Sequence, residues 1–198
     1  MLLSCYQNQY VEAGCDEAGR GCLAGPVVAA AVIFPADYKH KLLNDSKQLS
    51  LAVRNQLREE IKRDAIAYSV AFSDVQTIDS INILNASFKA MHNALEQLKI
   101  QPQFIIVDGN RFPAFKKIQH KTIVKGDAKY LSIAAASILA KTERDDFMNT
   151  IHNEFPIYNW AKNKGYGTAA HRAAIIENGQ CVHHRKSFVL KEMQPKLF

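Results

Sequence analysis

Residues 27–34 read Val-Val-Ala-Ala-Ala-Val-Ile-Phe, without a polar side chain. The run is far too short to cross a bilayer, and its β-branched residues favour an extended chain. A strand apolar on both sides needs cover on both faces, so the run predicts a strand buried inside a layered domain. Pro35 closes it. Ahead of it lies a shorter apolar run, residues 11–15, which predicts a first strand ending at Asp16. Between the two runs stand the adjacent carboxylates Asp16 and Glu17 and a turn rich in small residues, with Gly19, Gly21, Ala24 and Gly25. Small residues let the backbone approach a ligand closely. Two carboxylates beside such a turn repel a phosphate, unless a divalent cation lies between them and it. Gly19, Gly21 and Ala24 also fit the dinucleotide fingerprint. That motif needs a helix after the turn, and here Pro26 and a strand-forming run follow, so the dinucleotide reading is set aside.

The rest of the chain reads as framework. Ser50 can cap a helix with the stripe Val53, Leu57 and Ile61. Residues 65–72 alternate as a third strand, and the first three strands, close in sequence, are expected to be antiparallel. Asp79 reads as the N-cap of an amphipathic helix carrying Ile81, Leu84, Phe88, Met91, Leu95 and Leu98. His92 lies beside that stripe and is assigned a structural role. Residues 104–107 form a short buried strand with Asp108-Gly109 at its carboxyl end. A crossover helix before a buried strand predicts a parallel pair. Residues 120–124 give another strand, followed by Lys125-Gly126-Asp127. A long alanine-rich helix is expected over 128–153, and Thr168 and Gly179 bracket a last one.

The 198 residues are 47% hydrophobic, which suits one compact domain over residues 1–198. About residues 160–198 form a basic C-terminal extension. Its Lys162, Lys164, Arg172, Arg185, Lys186, Lys191 and Lys196 are opposed only by Glu177 and Glu192 and carry most of the formal net charge of +6. That segment reads either as a solvated basic surface or as a nucleic-acid track beside an acidic centre. Cys5, Cys15, Cys22 and Cys181 form no C-x-x-C pair, so a zinc site is not expected. No leader pattern and no membrane-length apolar run are visible, which points to a cytoplasmic protein with free thiols.

Four acids fall at element ends: Asp16, Glu17, Asp108 and Asp127. Singly, each reads as a turn, cap or surface residue. Jointly they sit where α/β sheets place their sites, outside the carboxyl ends of strands. Successive strand residues point to opposite faces, so Asp16 and Glu17 share a site only if the strand ends or bends there. Clustered carboxylates suit hard cations such as Mg²⁺ or Mn²⁺.

These residues resemble the signature of ribonuclease HII. The resemblance runs from residues 14–28 through Asp45-Ser46-Lys47, Val107-Asp108-Gly109, Lys125-Gly126-Asp127 and residues 137–141. It continues through Lys164-Gly165-Tyr166-Gly167-Thr168 and His171 to residues 184–188, with every block in order. It implies an α/β, RNase H-like fold: a mixed five-stranded sheet flanked by helices, with a helical C-terminal extension. It also implies an endonuclease that cuts the RNA strand of RNA–DNA hybrids, and 5′ of single ribonucleotides embedded in duplex DNA. By the same resemblance two divalent ions, Mn²⁺ or Mg²⁺, are held by Asp16, Glu17, Asp108 and Asp127. The backbone of Gly19, Arg20 and Gly21 reads the ribose 2′-OH, Lys47 touches phosphate, and Tyr166 stacks on the sugar beyond the cut. The chain lacks the extra N-terminal domain of ribonuclease HIII relatives, which favours HII. Another two-metal nuclease of the same fold and a non-catalytic hybrid-binding module are the competing readings; the full set of acids speaks against the second. Finally, Gln194-Pro195-Lys196-Leu197-Phe198 resembles the short tails that bind the bacterial sliding clamp. Leu197 and Phe198 would fill an apolar pocket, with Gln194 bonding at its edge.

Overall fold

The structure is a computed structural model and describes residues 2–43 and 50–190. The expected phosphate contact Lys47 and the tail residues Gln194, Leu197 and Phe198 lie outside the described residues, as do Lys191 and Lys196. Five strands form one sheet: β1 (Glu12–Ala18), β2 (Val27–Ile33), β3 (Ala67–Ser73), β4 (Phe104–Asp108) and β5 (Gln119–Ile123). Their order is β3-β2-β1-β4-β5. β1, β2 and β3 are antiparallel neighbours, the first pair joined by a short turn and the second by a long connection that contains a helix, while β4 and β5 run parallel to β1. This is the mixed five-stranded sheet expected from the sequence.

β2 is buried along its whole length, and its alternate side chains supply two cores. Val27, Ala29, Ala31 and Ile33 pack with Ala86, Ala90 and Leu95 of helix α2 (Val75–Glu96). Ala30 and Val32 pack with Leu57 and Ile61 of α1 (Leu51–Asp64), and with Ala134, Ile138 and Leu139 of α3 (Leu131–Glu154). Helices on both faces explain why the run carries no polar residue. The small residues of α3 let it lie close to the sheet: a Cβ at Gly14 of β1 would overlap the Ser132 main chain. The C-terminal part adds α4 (Trp160–Asn163) and α5 (Ala169–Asn178), whose Thr168 cap and Gly179 stop were legible beforehand.

Three local expectations need correction. β1 continues through Ala18 rather than ending at Asp16. The long helix begins at Leu131, after a separate 3₁₀ turn, Gly126–Ala128, that holds Asp127. The helix expected from Asp79 starts a turn earlier, where Asp74 accepts from Thr77 N–H at 2.8 Å. It kinks at Asn82, which sits at φ 65 and caps the second segment through Asn85 N–H. Asp79 instead accepts hydrogen bonds from the main-chain N–H groups of Lys186 and Ser187, both at 2.9 Å, and so ties the C-terminal segment to α2. His92 has the structural role expected of it, packed against Phe112 and Phe115.

Candidate active site

The parallel pairing of β1 with β4 assembles the acids. The last paired residues are Cys15 and Val107, so the next residues along the two strands are Asp16 and Asp108. Beyond that point the β4-side edge of β1 is open. Asp16, Glu17 and Asp108 therefore meet although the strand does not end at Asp16, and all three line one cleft of about 280 Å³. Gly19, Arg20, Gly21, Arg54, Ser137, Lys141 and Tyr166 complete its wall. A second depression adjoins it on the α2 side and shares Glu17, Arg20 and Asp108, adding Asn110 and Arg111. The carboxylates thus stand at the middle of a longer groove with cationic side chains along it. A larger apolar depression lies elsewhere, among Phe72, Phe147 and Val182, without a comparable set of polar groups.

Electrostatics mark the same three residues. Asp16 is only 5% exposed. Burial first, then the Glu17 and Asp108 carboxylates, hold Asp16 well above the usual carboxylate range, against hydrogen bonds from Ser137 and from the Glu17 N–H. Burial also raises Glu17, opposed by its 3.1 Å ion pair with Arg20. Asp108 accepts the Gly126 N–H at 2.7 Å, which ties the turn carrying Asp127 to the end of β4. Asp127 itself is buried and is not among the residues lining the cleft. Among the described residues no three His, Cys, Asp or Glu side chains are already drawn into closed metal-ligand geometry. Glu17 turns to Arg20, as expected of carboxylates that repel one another. The donor set itself, hard oxygens buried together with too little compensating charge, fits a divalent cation.

The turn of residues 19–26 is held from behind. Arg185, counted in the sequence with the basic extension, is fully buried and donates to carbonyls of residues 19–26. Burial pushes its guanidinium down to about 10, so it remains charged at neutral pH. Arg144 of α3 lies beneath the same turn, and a Cβ at Gly19, whose φ is +96°, would overlap its guanidinium. Tyr166 is 45% exposed on the cleft wall. Its hydroxyl meets the buried Cys22 thiol, and its segment bridges Cys22 in antiparallel fashion. Behind Tyr166 lies a buried chain of rings. His171 donates from Nδ1 to Tyr166 O at 2.9 Å, which leaves its Nε2 to accept from Trp160 Nε1 at 3.0 Å. His184 accepts the Cys181 N–H at Nδ1 and so donates from Nε2 to His171. These tautomers are assigned from the hydrogen bonds.

Lys141, Ser137 and Arg54 had not been singled out as site residues. Lys141 pairs with the buried Asp145 at 2.6 Å, one helical turn on. That i,i+4 spacing was the available signal.

Comparison with known proteins places the chain in a family. The family model described as Ribonuclease HII matches residues 13–191. A ribonuclease HII from Phocaeicola vulgatus is 58% identical over 197 residues, covering 100% of this chain and 98% of the relative. Among solved structures, the ribonuclease H2 of Pyrococcus horikoshii OT3 superposes with a TM-score of 0.74 at 26% identity, covering 89% of this chain and 93% of its own. A chain of the PCNA:RNase HII complex from Archaeoglobus fulgidus gives a TM-score of 0.76 at 26% identity, covering 94% of this chain and 98% of its own. The chain belongs to the ribonuclease HII family, type 2 ribonucleases H, metal-dependent endonucleases that act on RNA–DNA hybrids.

Proposed function

We propose that the chain cuts the RNA strand of RNA–DNA hybrids and also cuts 5′ of a single ribonucleotide in duplex DNA, leaving 3′-hydroxyl and 5′-phosphate ends and so starting ribonucleotide removal. The observation that carries this reading is the meeting of Asp16, Glu17 and Asp108 in one cleft that Gly19, Arg20, Gly21 and Tyr166 also line. In it Asp16, Glu17 and Asp108 hold two divalent ions, Mn²⁺ or Mg²⁺, and Asp127 completes the acid set from the turn bonded to Asp108. Such a pair of ions, when bound, supplies an activated water and charge stabilisation for the leaving oxygen.

The chain's own groups supply position. Lys141, Arg20 and Arg54 give the cleft positive charge for the phosphate backbone, with Lys47 as a further phosphate contact. The Arg20 and Gly21 main chain faces the ribose, where the 2′-OH is what separates RNA from DNA. The exposed ring of Tyr166 offers a face on which the sugar past the scissile phosphate can rest. The setting is the cytoplasm; among the described residues no helix is long and apolar enough to cross a membrane. The tail residues Gln194, Leu197 and Phe198 dock on a sliding clamp, a reading supported by the clamp complex in which the similar Archaeoglobus chain was solved.

The test is cleavage of a duplex carrying one ribonucleotide, with Mg²⁺ and with Mn²⁺ and with the product ends mapped. A cut 5′ of the ribonucleotide with a 3′-hydroxyl supports the reading. Cutting only of long hybrids, or 2′,3′-cyclic ends, contradicts it.

A further inference from the structure

Arg185 is 0% exposed and makes no ion pair among the described residues. Its partners are all main-chain carbonyls of one turn: Nε donates to Gly25 O at 3.0 Å, Nη1 to Arg20 O at 2.8 Å, and Nη2 to Gly19 O at 2.6 Å and Pro26 O at 3.2 Å. Arg144 adds bonds to Ala24 O and Pro26 O, both at 3.0 Å, and ties in Lys164 O at 2.8 Å, next to the Tyr166 segment. A buried guanidinium is costly to desolvate, and apolar packing could hold a turn without it. What the planar five-donor fork supplies is direction, since it fixes which way several carbonyls point.

That direction has a consequence on the other side of the turn. A trans peptide holds its C=O and its N–H on opposite sides, and the chain has no cis peptide bond. The carbonyls of Gly19 and Arg20 are drawn inward to Arg185. The N–H groups in the same two peptide planes, those of Arg20 and Gly21, are therefore turned outward. Both residues are exposed and both line the cleft. Among the described residues neither N–H donates to a main-chain carbonyl. Two adjacent outward donors beside the carboxylate cluster match an electronegative atom on the sugar rather than a base edge.

We propose that Arg185 is a positioning residue for sugar selection: its guanidinium sets two peptide planes so that the Arg20 and Gly21 N–H groups donate to the ribose 2′ oxygen. The proposal rests on the reading of residues 19–21 as the ribose-facing turn. Arg185 touches no substrate in this account and acts only through that turn.

The experiment compares the wild type, Arg185→Met and Arg185→Lys on two duplexes. One carries a single ribonucleotide, and the other carries its 2′-fluoro analogue, a much weaker acceptor of similar size. Single-turnover rates are measured, and thermal melting establishes folding. The wild type prefers the hydroxyl substrate strongly, since a site built to bond a hydroxyl rejects analogues that cannot. In Arg185→Met the rate on the hydroxyl substrate falls about 10- to 100-fold more than the rate on the fluoro analogue, the loss typical of misplaced preorganised donors. Arg185→Lys keeps the charge but reaches fewer carbonyls, so it restores only part of the preference. If Arg185→Met does not fold, Arg185→Lys alone decides. A folded variant that slows equally on both substrates, with the preference intact, makes Arg185 a purely structural residue and overturns the proposal. A wild type with no preference for the hydroxyl overturns the underlying reading of the turn instead.

Discussion

Acid should loosen the C-terminal helical region through His184. This ring is 1% exposed and faces Cys181, His171, His183, Tyr158 and Trp160. Burial first, then the neighbouring His171, push it down from the ordinary value of 6.5 to about 4, and burial lowers His171 as well. The folded state thus binds fewer protons than the unfolded chain. Stability from the neutral ring is complete above pH 6.5 and is lost as pH falls through about 4. At 1.36 kcal/mol per pKa unit, that depression corresponds to about 3 kcal/mol. The mechanism is specific: a proton added at Nδ1 of His184 faces the Cys181 N–H, so an acceptor becomes a second donor. The chain has a single tryptophan, Trp160, bonded to His171 and 5.3 Å from the His184 ring, so its fluorescence reports this region directly. Urea unfolding followed at Trp160 between pH 7 and pH 4 should show a steeper loss of stability in the wild type than in His184→Asn. That variant is less stable at pH 7, but its pH dependence should be smaller by about 3 kcal/mol. Equal pH dependence in the two proteins would refute the assignment of buried, neutral histidines.

Other outcomes follow from the same geometry. Asp16→Asn and Asp108→Asn should each remove cleavage while leaving melting and duplex binding nearly intact, because they change a cleft carboxylate rather than a core contact; gel shift and circular dichroism check this. Gly19→Ala should destabilise the fold by about 1–3 kcal/mol, since it meets both a positive φ and the Arg144 guanidinium; a melt no different from wild type would contradict the close packing. Tyr166→Ala should slow cutting at a single ribonucleotide more than cutting of a continuous hybrid, by up to about two orders of magnitude; equal losses would leave the ring only a packing role. Leu197→Ala combined with Phe198→Ala should abolish binding to the clamp of the same organism without changing cleavage in a clamp-free assay; wild-type binding by the double variant would remove the tail from the account.

The sheet was legible because its strands are local patterns. The unbroken apolar run of β2 demands cover on both faces, and α2 on one side with α1 and α3 on the other provide it. Asp16 and Asp108 were legible as a pair because parallel strands bring their carboxyl ends together. The start of α2 was misplaced because two aspartates precede helical spacing. Only the tertiary contact of Asp79 with residues 186–187 shows which one is the cap. Arg144 and Arg185 were hidden for a related reason. Apart from Lys164 O, their acceptors are main-chain carbonyls more than a hundred residues away in sequence, so no local pattern separates them from surface charge. Asp127 is expected at the common rim from its position after β5; its side chain is buried in a 3₁₀ turn that the Gly126 N–H ties to Asp108.

The central claim is that Asp16, Glu17 and Asp108 together hold the divalent ions on which cleavage depends. Calorimetric titration of Mn²⁺ into the protein tests it without relying on activity. Wild type should bind with an affinity that Asp16→Asn and Asp108→Asn each weaken by about tenfold or more, as loss of a charged oxygen ligand does. Folded variants that bind Mn²⁺ as tightly as the wild type would contradict the account.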